Sequence, residues 1–132
     1  MDNMIIEKYI SNLNWNKSRV TQQKAIDRLV KMRGSHRYLV LPKRMYHKDL
    51  WENAAIVLSK KGINQIEDII IDLFYWFQDL NWPGVDIIAN LLKNIPQPFL
   101  DAYLEKAKII ANAIEDSDWL SNLDYIFSQK SD

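Results

Sequence analysis

Asp68, Asp72, Tyr75 and Asp79 recur at steps of four, three and four. On an α-helix this spacing lines three carboxylates and a phenol into one stripe. Farther along, Asp101, Glu105, Asn112 and Glu115 form a similar stripe, interrupted by Lys108. Two rows of carboxylates around a tyrosine offer steering and hydrogen bonds to a basic protein partner. They could also hold a divalent cation, but no short ligand loop with metal-type spacing accompanies them, and no metal or cofactor is expected.

The opposite chemistry lies upstream. Residues 17–48 hold ten Lys/Arg and one acidic residue, Asp27. Lys17, Lys24, Arg28 and Lys31 are spaced to project from one side of a helix. Arg33, Arg37, Lys43, Arg44 and Lys48 follow in a linker. Such a segment could meet phosphates, which makes nucleic-acid binding the alternative reading. Aromatics are few there (Tyr38 and Tyr46), and no base-reading motif is present.

Catalysis finds little to work with. A nucleophile needs a base and an orienting group beside it. The two histidines, His36 and His47, are expected to be exposed loop residues. Ser35 next to His36 in sequence is no triad signal. The chain has no cysteine, which excludes a thiol nucleophile, a disulfide framework and any cysteine-ligated zinc. Three glycines are too few for a glycine-rich phosphate loop. An enzyme ranks third, without a constellation to support it.

The elements that must position these groups read as helices. The chain of 132 residues is one domain's worth, and 48% hydrophobic against 26% charged residues is the balance of a folded, soluble protein. Apolar residues recur at three and four between the breaks at Gly34, Pro42, Gly62, Pro83, Pro96 and Pro98. The spacing predicts a short helix near residues 3–12 and further helices over about 18–31, 48–61, 65–80, 83–95, 98–115 and from Ser117 onward. The helix over 65–80 is the most apolar and must be central. Asn64 with Glu67 resembles a capping box at its start. Asn81 is expected to cap the next helix, with Pro83 in its first turn. Asp79 and Gln78 are expected to bond backbone at the turn between the two. Tyr38–Leu41 is expected to be a short helical turn or an extended linker.

Charge is segregated along this series. Residues 1–66 carry 13 Lys/Arg and 5 Asp/Glu, whereas residues 67–132 carry 4 and 12. Pairing of basic and acidic ends between copies is one further use of such asymmetry. The start Met1-Asp2-Asn3-Met4 has no basic run, and no apolar stretch reaches membrane-spanning length, so no membrane partner is expected and the cytoplasm is the expected compartment.

Trp15, Trp51, Trp82 and Trp119 are 36, 31 and 37 residues apart. Each has Asn or Asp one or two positions before it and stands near a helix start. A period in this range with two helices per unit predicts an all-α fold of about six to seven helices, a short HEAT-like solenoid of stacked helical hairpins. The tryptophans, Trp76 included, are expected to pack between hairpins.

Leu73-Phe74-Tyr75-Trp76-Phe77-Gln78-Asp79-Leu80-Asn81-Trp82-Pro83 resembles the W-x-Q-D-x-N-W-P signature of an uncharacterised bacterial family with a HEAT-like helical domain. Leu41-Pro42-Lys43, Lys48-Asp49 through Gly62, and Asp118-Trp119 are similar to the family's opening, first helix and closing element. Where the family often carries a second aromatic after the last tryptophan, this chain has Asn122 and Leu123. The resemblance covers about residues 38–126 of a single domain spanning 1–132, with 1–37 an added N-terminal hairpin. It implies the fold and no activity. Similar small domains among bacterial toxin-neutralising proteins make an immunity-type, non-catalytic protein-binding role the concrete expectation, with the two acidic stripes as the contact.

Overall fold

The computed structural model describes residues 2–44 and 47–128, with burial and side-chain contacts given from residue 4 onward. Among these residues the fold is all-α, with no strand. Seven α-helices run α1 (Asp2–Ser11), α2 (Arg19–Lys31), α3 (Trp51–Lys61), α4 (Ile70–Leu73), α5 (Val85–Leu92), α6 (Gln97–Ala113) and α7 (Ser117–Phe127). Short 3₁₀ turns fill several of the gaps. Contacts run largely in chain order: α1 on α2, α2 on α3, α3 on α5, and α6 on α7, with α4 against α6. All share one apolar core that includes Leu13, Leu29, Leu58, Phe74, Trp76, Ile88, Ala111 and Trp119.

Local chemistry accounts for the well-predicted ends. Ser18 caps α2 by accepting from the Thr21 N–H at 3.1 Å. Gly62, at φ 84°, ends α3. Two 3₁₀ turns, Ser35–Tyr38 and Leu41–Lys43, flank Leu39 and Val40, so the expected Tyr38–Leu41 element is a short non-helical link between two turns.

The expected long helix over 65–80 is not continuous. Ile63–Gln65 and Glu67–Ile69 are 3₁₀ turns, α4 is four residues long, and Phe74–Gln78 is again 3₁₀. Asn64 and Glu67 form no capping box. The run Ile69-Ile70-Ile71 followed by Phe74-Tyr75-Trp76-Phe77 combines β-branched and aromatic residues, all mediocre helix formers. Burial decides the geometry instead. Three residues per turn bring positions i and i+3 into line. Phe74 and Phe77 accordingly meet edge to face at 6.0 Å, and both are fully buried.

The 79–84 turn also departs from expectation. Asn81 does not cap α5, and Pro83 lies before its first turn, because the helix starts at Val85 behind Gly84. Asp79 accepts from the Asn81 N–H at 2.8 Å, an Asx turn of the expected kind. Pro83 presents its carbonyl to the Trp76 indole N–H at 2.7 Å. Gly84 has φ 91°, and a Cβ there would stand 2.9 Å from Ala55 Cβ and 3.2 Å from the Trp51 carbonyl oxygen. This glycine lets α5 close on α3. At α7 the cap is Asp116 and not Ser117, accepting from the Trp119 N–H at 2.9 Å.

Three of the four periodic tryptophans serve the core. Trp51 is buried and packs edge to face on Trp82 at 5.0 Å and on Trp76 at 6.1 Å. Trp119 is fully buried and donates to the Phe74 carbonyl at 3.1 Å. Trp15 breaks the pattern. It is 47% exposed and tied by its backbone, the N–H donating to the Asp49 carbonyl and the carbonyl accepting from the Gln22 amide, each at 3.2 Å.

Candidate functional site

The first acidic stripe is not a free surface. Arg37 Nε donates to Asp68 Oδ2 at 2.7 Å, and His36 Nε2 lies 2.7 Å from Asp68 Oδ1. Lys43 Nζ donates to Asp72 Oδ1 at 2.9 Å and sits 4.5 Å above the Tyr75 ring. Tyr75 packs its other side on Trp119, 4.9 Å between centroids. Asp79 is spent on its turn. With α4 only one turn long, the four residues do not share one helix face, and each has its own partner. The four residues thus lie along a seam between the 35–44 segment and the 67–79 segment, with Asp68 still exposed.

That seam absorbs part of the basic segment as well. Arg37, Lys43 and Arg44 are all engaged, Arg44 donating to Glu7 at 3.2 Å and lying over Tyr38. Arg28 lies over Tyr9 at 5.9 Å. Lys17, Lys24 and Lys31 remain exposed along α2 and its approach. At this seam each charged half lends charge to the other.

Electrostatics follow from the geometry. The Arg37 hydrogen bond, with His36 assisting, holds the Asp68 carboxyl down, from 3.8 to about 2. The same bond raises the Arg37 guanidinium above its ordinary value. An ionised carboxylate only accepts, so His36 Nε2 carries the hydrogen. His36 Nδ1 is then buried without a partner. His36 is 5% exposed, which corrects the expectation of a loop histidine in solvent; His47 is exposed as expected.

Sequence reasoning missed a second buried polar group. Lys61 is 6% exposed, and its Nζ donates to the Val30 and Met32 carbonyls at 3.2 and 2.9 Å. Ser35 Oγ donates to the Leu29 carbonyl at 2.6 Å. Together they satisfy the orphan carbonyls at the end of α2, where the helix dipole is negative. Burial pushes the Lys61 ammonium down from its ordinary value. In sequence Lys61 is indistinguishable from any lysine in a last helical turn. Asn53 is similar: its buried amide donates to the Leu13 carbonyl at 2.6 Å and to Gln22 at 2.8 Å.

The second acidic stripe is open. Asp101, Glu105 and Asn112 are exposed on α6. Asp101 accepts only from the neutral Gln97 amide, at 2.6 Å. Glu115 sits past the end of α6 with φ 57°, the left-handed position that usually closes a helix. Beside the acids, Phe99, Ala102, Lys106 and Ile109 follow at steps of three and four, all exposed. Phe99 is 64% and Ile109 62% exposed, and Ile114, just past the end of α6, is exposed too. Lys108 does not interrupt this face, since it turns to Asp124 at 2.8 Å. Among the described residues no three His, Asp or Glu side chains converge on one ion position, and no helix is long and apolar enough to cross a membrane.

Residues 47–131 match a protein family described as a domain of unknown function, DUF5071. The match includes the 73–83 stretch and Asp118-Trp119, while Leu41-Pro42-Lys43 lies outside it. No curated protein and no solved structure matches the chain.

Proposed function

The chain belongs to the DUF5071 family, whose description carries no activity, and from that premise we propose a non-catalytic protein-binding module that uses the outer face of α6. One observation carries this reading. A single long helix exposes Phe99 and Ile109 beside the row of Asp101, Glu105 and Asn112, while the carboxylates elsewhere in the expected contact are engaged internally. Large apolar side chains bordered by unpaired carboxylates suit a basic partner with an apolar patch: the apolar groups anchor, the charges steer. The chain-order packing of helices is in keeping with a short stack of HEAT-like hairpins, with α1 and α2 added ahead of the family-like part. A toxin-neutralising protein of bacterial, cytoplasmic origin is the concrete form of the proposal, acting by steric occlusion of a basic toxin.

The test is co-purification from host cells, wild type against the double variant Glu105→Lys, Ile109→Ser. Loss of a basic protein from the eluate, with an unchanged circular dichroism spectrum, supports the reading. An eluate identical to wild type removes it. Reversing Asp68 or Asp72 is no test, because it breaks ion pairs within the fold.

Nucleic-acid binding stays the second reading, on the exposed run of Lys17, Lys24 and Lys31. It has lost Arg37, Lys43 and Arg44 to internal pairs. Binding of random DNA or RNA that weakens steeply with salt would favour it.

A further inference from the structure

A cleft of about 700 Å³ opens where α2 ends, between the 31–37 segment and the turn at Asn64 and Gln65. Lys31, Arg33 and Arg37 line it, and Asp68 is its only carboxylate. We propose that this cleft binds a small ligand through an oxyanion group, a phosphate or phosphate monoester, with Lys31, Arg33 and the outer edge of Arg37 as its cationic contacts. It is a different surface from the α6 face, and the two stand or fall separately.

Four features support the assignment. Both oxygens of Asp68 are already occupied, one by His36 and one by Arg37 Nε. The carboxylate therefore acts as an orienting group. It holds the guanidinium by one nitrogen and leaves the two terminal nitrogens, the fork that suits a planar pair of oxygens. Lys31 and Arg33 have no acidic partner among the described residues, so the cleft carries excess positive charge that a bound anion would neutralise. The negative end of α2 would oppose an anion, but Lys61 and Ser35 satisfy the Leu29, Val30 and Met32 carbonyls from the other side. Asn64 and Gln65 add exposed amide donors on the facing turn.

The experiment is a ¹H–¹⁵N NMR titration of the full chain with inorganic phosphate, against sodium chloride at matched ionic strength. Saturable shifts are expected at Gly34, Arg37, Asn64 and Gln65, at phosphate concentrations of about 1 mM. The double variant Lys31→Ala, Arg33→Ala removes only exposed side chains and should weaken binding by about tenfold or more with its spectrum otherwise preserved. Arg37→Lys keeps the charge and loses the fork, and should also weaken binding. Shifts equal to those in chloride, or no loss in the double variant, would overturn the proposal. So would shifts seen only with a single-stranded oligonucleotide and running along α2 through Lys24 to Lys17, which would give the surface to a nucleic-acid backbone.

Discussion

Two stretches of this chain carry nearly the same acidic pattern and have opposite fates. Around α4, Asp68 and Asp72 are met by His36, Arg37 and Lys43 and become the seam that fastens the 35–44 segment to the core. On α6, Asp101 and Glu105 meet no cation, and the helix keeps two large apolar side chains in water beside them. The difference lies in what passes overhead. A basic linker crosses the first stripe, and nothing in the described residues crosses the second. A periodic row of charges is therefore not yet a binding face. It becomes one only where the rest of the chain leaves it uncovered.

The largest effect should come from the layer beneath the seam. Trp119 is fully buried, packs on Tyr75 and donates to the Phe74 carbonyl. Trp119→Ala should cost about 3–5 kcal/mol in denaturant unfolding, by lost burial and one lost hydrogen bond. A cost near zero would mean that the seam does not rest on this indole. Next comes the buried lysine at the end of α2. Lys61→Ala leaves the Val30 carbonyl without its donor and removes one of the two on Met32, the other being the Ser35 N–H, and should cost about 1–3 kcal/mol, with little change in salt dependence because the partners are uncharged.

The seam itself should matter less, and in a pH-dependent way. Asp68→Asn at neutral pH should cost about 1 kcal/mol, since charge-assisted hydrogen bonds are lost but the group is well exposed and screened. The sign follows from the depressed folded value. Because Asp68 titrates at about 2 in the fold against 3.8 ordinarily, its contribution is present above 3.8 and is lost as pH falls toward 2. Acid unfolding of Asp68→Asn should thus lack part of the wild-type slope between those values. Parallel acid limbs for the two proteins would contradict the seam.

The apolar periodicity carried the all-α class, the start of α2, the end of α3 and the long α6. It did so because those stretches are ordinary helix formers with Ser18 and Gly62 at their ends. It failed over 63–84, where β-branched and aromatic residues fill the core better in tight turns than in one long helix. The indole spacing was informative for Trp51, Trp82 and Trp119 and misleading for Trp15, whose local sequence is no different in kind. The exposure of Asp101, Glu105 and Asn112 on α6 was legible because an exposed helix face depends on local spacing. The pairing of Asp68 with His36 and Arg37 was not, because it joins positions about thirty residues apart and nothing local announces it. The same holds for Lys61 and Asn53, whose partners lie about thirty to forty residues away in sequence.

The smallest effect on stability is also the sharpest test of the contrast. Glu105→Lys with Ile109→Ser changes two side chains that touch solvent on α6 and hold no partner in the fold. Its unfolding free energy should stay within about 0.5 kcal/mol of wild type. If that double variant loses as much as Asp68→Asn, α6 is buttressed from outside and the distinction between a covered and an uncovered stripe fails. If stability holds while co-purification of a basic partner is lost, the same two residues separate folding from recognition. Reversing Asp68 or Asp72 cannot do so, because each already pairs within the fold.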